Sequence, residues 1–293
     1  MNIYPNTIKL VDAPAPHQTE PTIGHLLQDA GKITSADAER VAIFQSTENM
    51  RFGEAAIKMG LIAETDLQHA LSHQFSYAYL AVGDGQFSSD LVAAYEPFGV
   101  QAEQFRALRS QLMMRWFSNG HKTLTISGIN AGDGASYVAA NMAVSFAQLG
   151  ERTLLIDADL RHPRQHVMFN LGNRPGLSEV LSGRVNLSAV ACMPAFPNLS
   201  ILTAGAIPPN PAELLSRAAT PIKLVDLAEH YDVILIDTSA THSSADAAIV
   251  AARAGAALLV LRQDHTPLSA VATFRANLAG AGAALIGTVL NQF

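Results

Sequence analysis

Residues 122–136 read Lys-Thr-Leu-Thr-Ile-Ser-Gly-Ile-Asn-Ala-Gly-Asp-Gly-Ala-Ser. The first six, 122–127, form a short run with apolar Leu124 and Ile126, bounded by turn signals, and are expected as a β-strand. Gly128–Ser136 follows as a glycine-rich loop, and Tyr137–Leu149 carries a helical pattern stopped by Gly150. Glycine tolerates dihedrals that let successive backbone N–H groups converge on one anion, and the N-terminus of the following helix adds partial positive charge. By itself, the segment is equally compatible with a plain strand-to-helix turn.

Strand, glycine loop and helix in that order are the context of a P-loop. A full loop of that kind ends in Gly-Lys-Ser/Thr; here Gly134-Ala135-Ser136 keeps the hydroxyl and loses the lysine. Two further apolar runs raise the weight of the reading. Arg152–Ile156 leads into Asp157-Ala158-Asp159-Leu160-Arg161-His162-Pro163, and Val233–Ile236 leads into Asp237-Thr238. Carboxylates at the C-terminal ends of parallel strands border a nucleotide crevice. Hard oxygen donors there suit Mg²⁺, and one carboxylate can serve as a base.

Outward from this segment, residues 101–293 alternate apolar runs with helical patterns, which predicts an α/β fold: a P-loop NTPase-type parallel sheet flanked by helices. It is preceded by a small helical N-terminal domain. Residues 1–21 read as a flexible arm, 22–80 as a helical block, and 81–100, with Gly83, Gly85 and Pro97, as a linker. The helical block repeats itself at an offset of 29 residues: Gly24 with Gly53, Gly31 with Gly60, Ile33 with Ile62, Asp37 with Asp66, Gln45 with Gln74. Each half is expected as two helices around a glycine turn, the second helix opened by Thr34 or Thr65.

Bulk properties exclude several classes. A net charge of −6 across 293 residues argues against general nucleic-acid binding. One cysteine, Cys192, allows neither an internal disulfide nor a thiolate metal site and reads as a core thiol. The first residues lack a signal-peptide pattern, and the longest apolar run, Ala247–Leu261, is interrupted by Arg253 and too short to span a bilayer. A cytoplasmic protein is expected, without direct membrane insertion and brought to the inner membrane, if at all, by a partner.

Residues 101–293 resemble the bacterial tyrosine kinases, in particular the EpsG-type chain-length-determinant kinases. Leu154–Pro163 matches their Walker A′ motif and Val233–Thr238 their Walker B. Gly176–Gly183, Gly205–Leu215 and Glu103-Gln104-Phe105-Arg106-Ala107-Leu108-Arg109 match further family blocks. The resemblance implies ATP or ADP with Mg²⁺ as cofactors. Gly132, Asp133, Gly134, Ala135, Ser136 and Tyr137 would form the nucleotide-binding segment. Asp157 and Asp159 would act on the metal and the tyrosine hydroxyl. Ser136, Asp157 and Asp237 would serve the metal, Asp237 through water. It also implies self-association through Glu103, Arg106 and Arg109, and an inner-membrane chain-length-determinant protein as partner. Arg51-Phe52-Gly53 with Gly60, Leu67, Leu71 and Gln74 resembles the MshE N-terminal domain, which binds cyclic di-GMP; Arg51, Gly53 and Gly24 would be the contacts. The first repeat has Thr22 in place of the arginine.

Two departures bear on activity. Ala135 cannot contact the β- and γ-phosphates as a lysine would. Lys122, Arg152 or a partner's arginine are the candidates for replacing that charge. The family's tyrosine-rich tail is not expected, since the last tyrosine is Tyr231. Three readings follow: an ATP-dependent tyrosine kinase of exopolysaccharide synthesis, a catalytically inactive nucleotide-gated scaffold, and a MinD/ParA-type ATPase, whose additional early-loop lysine is absent.

Overall fold

The computed structural model describes residues 22–74, 79–80, 85–216, 224–241 and 244–292, so the arm expected over 1–21 lies outside them. The chain divides into two compact units, residues 1–77 and 78–293.

In the small unit, α1 (Ile23–Asp29) and α2 (Ser35–Glu48) repeat as α3 (Phe52–Lys58) and α4 (Glu64–Gln74). Gly31 and Gly60 occupy equivalent turns with φ of 66° and 69°, the left-handed region that glycine enters without steric cost. Thr34 and Asp37 cap α2 reciprocally. In the second half, the residue equivalent to Thr34 is Ala63, whose N–H donates to the Asp66 carboxylate at 3.0 Å. Helix α4 therefore opens one residue before Thr65, and the carboxylate, not a threonine hydroxyl, is the shared capping device. The two hairpins close over Leu27, Val41, Ala55, Ala56 and Leu67.

The large unit is a seven-stranded sheet of order β3-β4-β2-β5-β1-β6-β7. Its elements run α5 (Val92–Tyr95), α6 (Val100–Arg115), β1 (Thr123–Gly128), α7 (Ala135–Gln148), β2 (Thr153–Asp157), α8 (Gln165–Met168), α9 (Leu177–Leu181), β3 (Ala191–Met193), β4 (Phe196–Leu202), α10 (Pro211–Ser216), α11 (Leu224–His230), β5 (Val233–Asp237), α12 (Asp246–Ala254), β6 (Ala256–Arg262), α13 (Leu268–Gly280) and β7 (Ala284–Asn291). All neighbours are parallel except β3, which runs antiparallel to β4 at one edge.

Both faces of the central strands are covered, which is why they read as unbroken apolar runs. In β5, Val233 and Leu235 join the core under α7, while Ile234 and Ile236 join the core on the opposite face. Helix α7 is buried from Val138 to Ala147 because it lies between the sheet and the helices α5 and α6; its alanines permit the close approach. On edge strand β3, alternation turns Ala191 and Met193 inward and Cys192 outward, so the cysteine is exposed and is not a core thiol.

Residues 85–100, expected as part of a linker, are packed into the large unit. Leu91 and Ala94 are fully buried. Buried Asn141 of α7 accepts from Ala93 N–H at 2.9 Å and donates to the carbonyls of Asp90 (2.9 Å) and Tyr137 (3.0 Å). Glycine and proline composition reports turns, but this turn-rich stretch has buried apolar residues and a buried amide to satisfy its backbone.

Candidate nucleotide site

Parallel pairing places the C-terminal ends of β1, β2 and β5 side by side, with Asp157 directly opposite Asp237 in the register. The glycine loop leaves β1 at that same edge and turns into α7. Gly132 and Gly134 have φ of 87° and 95°, and Gly134 caps the helix. The first N–H groups of α7, from Ala135, Ser136 and Tyr137, have no acceptor within the helix and face the edge where an anion would sit.

Asp133 takes a different part from the one expected. It is buried, and its carboxylate accepts from Ile129 N–H (3.0 Å) and Asn130 N–H (2.8 Å). It braces the loop from inside. Asn291, at the end of β7, donates to the Asp133 carbonyl at 3.2 Å and ties the loop to the far side of the sheet. Tyr137 likewise offers the site only its backbone. Its ring packs on Phe105 with centroids 5.7 Å apart, and burial, with the Asp90 and Glu96 charges adding to it, raises its phenol above the ordinary value.

The carboxylates are held closely. Asp157 accepts from the N–H groups of Asp159 (3.2 Å), Arg164 (3.1 Å) and Gln165 (3.0 Å). Burial, reinforced by the nearby Asp159 charge and opposed by these hydrogen bonds, pushes its carboxyl up to about 7. Asp237 is fully buried and rises well above the usual carboxylate range, chiefly through burial and next through Asp157. One oxygen of Asp237 accepts from Gln165 Nε2 at 2.8 Å; the other, Oδ1, has no partner. Gln165 and the Ser136 hydroxyl oppose this rise. Asp159, the least buried of the three, accepts from the N–H groups of Arg161 (3.1 Å) and His162 (2.9 Å).

Two buried acids with raised affinity for protons and one orphaned oxygen form a site short of positive charge, which is what a divalent cation supplies. Among the described residues, no three of His, Cys, Asp and Glu converge on one point. The donor set therefore fits Mg²⁺ in its usual manner, with one or two protein oxygens and the remaining positions left to water and phosphate.

The cations proposed to replace the missing lysine are elsewhere. Lys122 donates to the carbonyls of Ala228 (2.6 Å) and Tyr231 (3.2 Å), and Arg152 forms a bidentate pair with Asp232 at 2.9 and 2.7 Å. Both precede their strands and so lie at the N-terminal edge, about 15–20 Å from the loop for strands of this length. Arg161 does reach the C-terminal edge, but it is bound to buried Asp246 at 2.7 Å. Sequence reading missed Asp246, which carries no motif, and Gln165, which looks like an ordinary helix residue.

The self-association face is also altered. Glu103 and Arg106 pair on the surface at 2.6 Å, whereas Arg109 is buried and donates to the Ser145 carbonyl at 2.6 Å. A three-residue step falls about 60° short of a full turn, so residue 109 lies roughly 120° around the helix from residue 103. In the small unit, a Cβ on buried Gly53 would come within 2.2 Å of Leu67, and one at Gly24 would meet the Phe52 ring at 3.2 Å. Both glycines answer to packing, while Arg51 is exposed at the start of α3.

Residues 121–273 match the family model described as cellulose biosynthesis protein BcsQ. The chain is 35% identical over 202 residues to the tyrosine-protein kinase YwqD of Bacillus subtilis, covering 69% of this chain and 85% of that one. The crystal structure of the chimerical protein CapA2B2 superposes with a TM-score of 0.65 at 31% identity, over 76% of this chain and 97% of that one. The kinase domain of the Escherichia coli tyrosine kinase Etk gives 0.64 at 32% identity, over 69% and 79%. Against the whole Etk chain the match spans 28% of its length.

Proposed function

Because this chain belongs to the bacterial tyrosine-kinase family, we propose that it is a nucleotide-gated regulator of bacterial polysaccharide synthesis or export that binds magnesium nucleotide but transfers phosphate poorly. The observation that carries this is Ala135 at the first position of α7, with Lys122 and Arg152 committed at the opposite edge and Arg161 held by Asp246. The amides of Ala135, Ser136 and Tyr137 would hold the phosphates, and Gly132 and Gly134 set the turn that presents them. The Ser136 hydroxyl and Asp237 would hold Mg²⁺, with Asp157 behind them. The ion would neutralise charge on the phosphates. Support for the polysaccharide role comes from the matched family model and from the chain-length-determinant resemblance. By the same analogy, an inner-membrane chain-length-determinant protein is the partner, and Glu103 and Arg106, without Arg109, would face a neighbouring copy.

A second reading, an active tyrosine kinase, is favoured by Asp157, Asp159 and Asp237 all being present. Asp159 would then accept the hydroxyl proton. A cavity of about 560 Å³, lined by Pro163, His166, Arg174, Gly205 and Ile207 among others, would be the place for the acceptor. Incubation with Mg²⁺ and labelled ATP separates the two. The proposal expects Mg²⁺-dependent ADP and ATP binding with little phosphotyrosine. Strong labelling of protein that disappears in Asp159→Asn sinks it in favour of the kinase, and absence of any nucleotide binding sinks both.

The small unit would take cyclic di-GMP, supported by the exposed Arg51 and the repeated glycine turns. Calorimetric titration should give heat that Arg51→Ala removes. Equal heats from both proteins would rule out this role for Arg51.

A further inference from the structure

We propose that Gln165 is a positioning residue of the metal site, clamping Asp237 and offering an acceptor to the ion's hydration shell. Gln165 is fully buried. Its Nε2 donates to Asp237 Oδ2 at 2.8 Å and to the Ser136 carbonyl at 3.1 Å, so one amide joins the two residues that would hold magnesium. Its own N–H donates to Asp157 at 3.0 Å, which adds a second carboxylate to the same residue. The amide carbonyl, Oε1, is buried without a donor, as is Asp237 Oδ1. Buried acceptors left unpaired are costly, and here two of them sit on side chains already bonded to one another. Both side chains therefore keep an acceptor that something entering the site can satisfy. The waters of a hydrated cation supply such donors, and the phosphate oxygens of a nucleotide do not.

This inference rests on the magnesium–nucleotide reading. Its test uses the full chain, with ADP affinity measured calorimetrically with and without Mg²⁺ for wild type, Gln165→Met and Gln165→Glu. Outer-shell partners of metal ligands typically contribute 10–100-fold in metal affinity. Gln165→Met, similar in volume but without either polar function, should reduce the Mg²⁺-dependent gain in ADP affinity about tenfold or more while leaving metal-free ADP binding within a factor of about two. Gln165→Glu keeps the acceptor oxygens and should retain the metal-dependent gain, even though its apo form melts lower. A wild-type gain from Mg²⁺ that Gln165→Met keeps in full overturns the role of Gln165 alone. Absence of any Mg²⁺ effect in wild type overturns the metal site and this inference together. If Gln165→Met does not fold, loss of the gain in folded Gln165→Glu overturns the acceptor role.

Discussion

Asp237→Asn should melt at a higher temperature than wild type at pH 8 without magnesium, and it should lose the stabilisation that Mg²⁺-ADP gives the wild type. The sign follows from proton linkage. A carboxyl whose folded value is raised above its unfolded one contributes stability while it is protonated, and that contribution is lost as pH rises through the folded value. For Asp157, moved from 3.8 to about 7 by burial, the window runs between those two values. Across it, the fold would lose about 4 kcal/mol at most, at roughly 1.4 kcal/mol per unit. Asp237 shifts in the same direction, from burial and from Asp157 beside it. Asparagine carries no charge at either pH and still presents an oxygen to Gln165 Nε2. It removes one buried charge and relieves the other. Thermal scans from pH 5 to 8 should therefore fall steeply for wild type and be flatter for Asp237→Asn. In wild type, a ligand at 100 times its Kd restores about 2.7 kcal/mol. Parallel scans for the two proteins would mean that the two carboxylates do not repel each other in the fold.

Ala135→Lys should tighten ATP binding about 10–100-fold, the effect of about 1.5–3 kcal/mol expected for a new hydrogen bond to a charged group. Residue 135 is half-buried at the opening of α7 with its methyl packed against the core, so the lysine stem must leave the helix on its loop side. A cation there would meet the β- and γ-phosphates, and the intact Asp157, Asp159 and Asp237 would then stand in a complete phosphoryl-transfer arrangement. Phosphotyrosine formation should rise along with affinity. Equilibrium dialysis with ATP and ADP checks the first effect and anti-phosphotyrosine detection the second. Unchanged affinity would mean that the loop does not hold phosphates in the P-loop manner.

The parts of the site that could be read from the sequence were those carried by short segments. Glycine spacing with apolar runs on either side gives strand, loop and helix, and an acid after such a run falls at a strand's C-terminal end. This placed Ser136, Asp157 and Asp237 together before any coordinates. Boundaries moved by a residue or two: β1 is Thr123–Gly128 rather than 122–127, and α7 begins at Ala135 rather than Tyr137. The linker reading went astray because composition registers glycine and proline but not the buried contacts of Leu91 and Ala94.

By itself, then, the sequence determined the element order, the parallel α/β sheet, the helical repeat in front and the missing lysine, because each depends on periodicity and on residues within one loop. Only the tertiary structure decided that Asp133 turns back on its own loop and that Arg109 enters the core beside Ser145. It also decided that Lys122 and Arg152 lie at the wrong edge of the sheet and that Gln165 bridges Ser136 and Asp237. Those outcomes depend on helical phase and on which distant segments become neighbours, and neither is written in the spacing of a single stretch of chain.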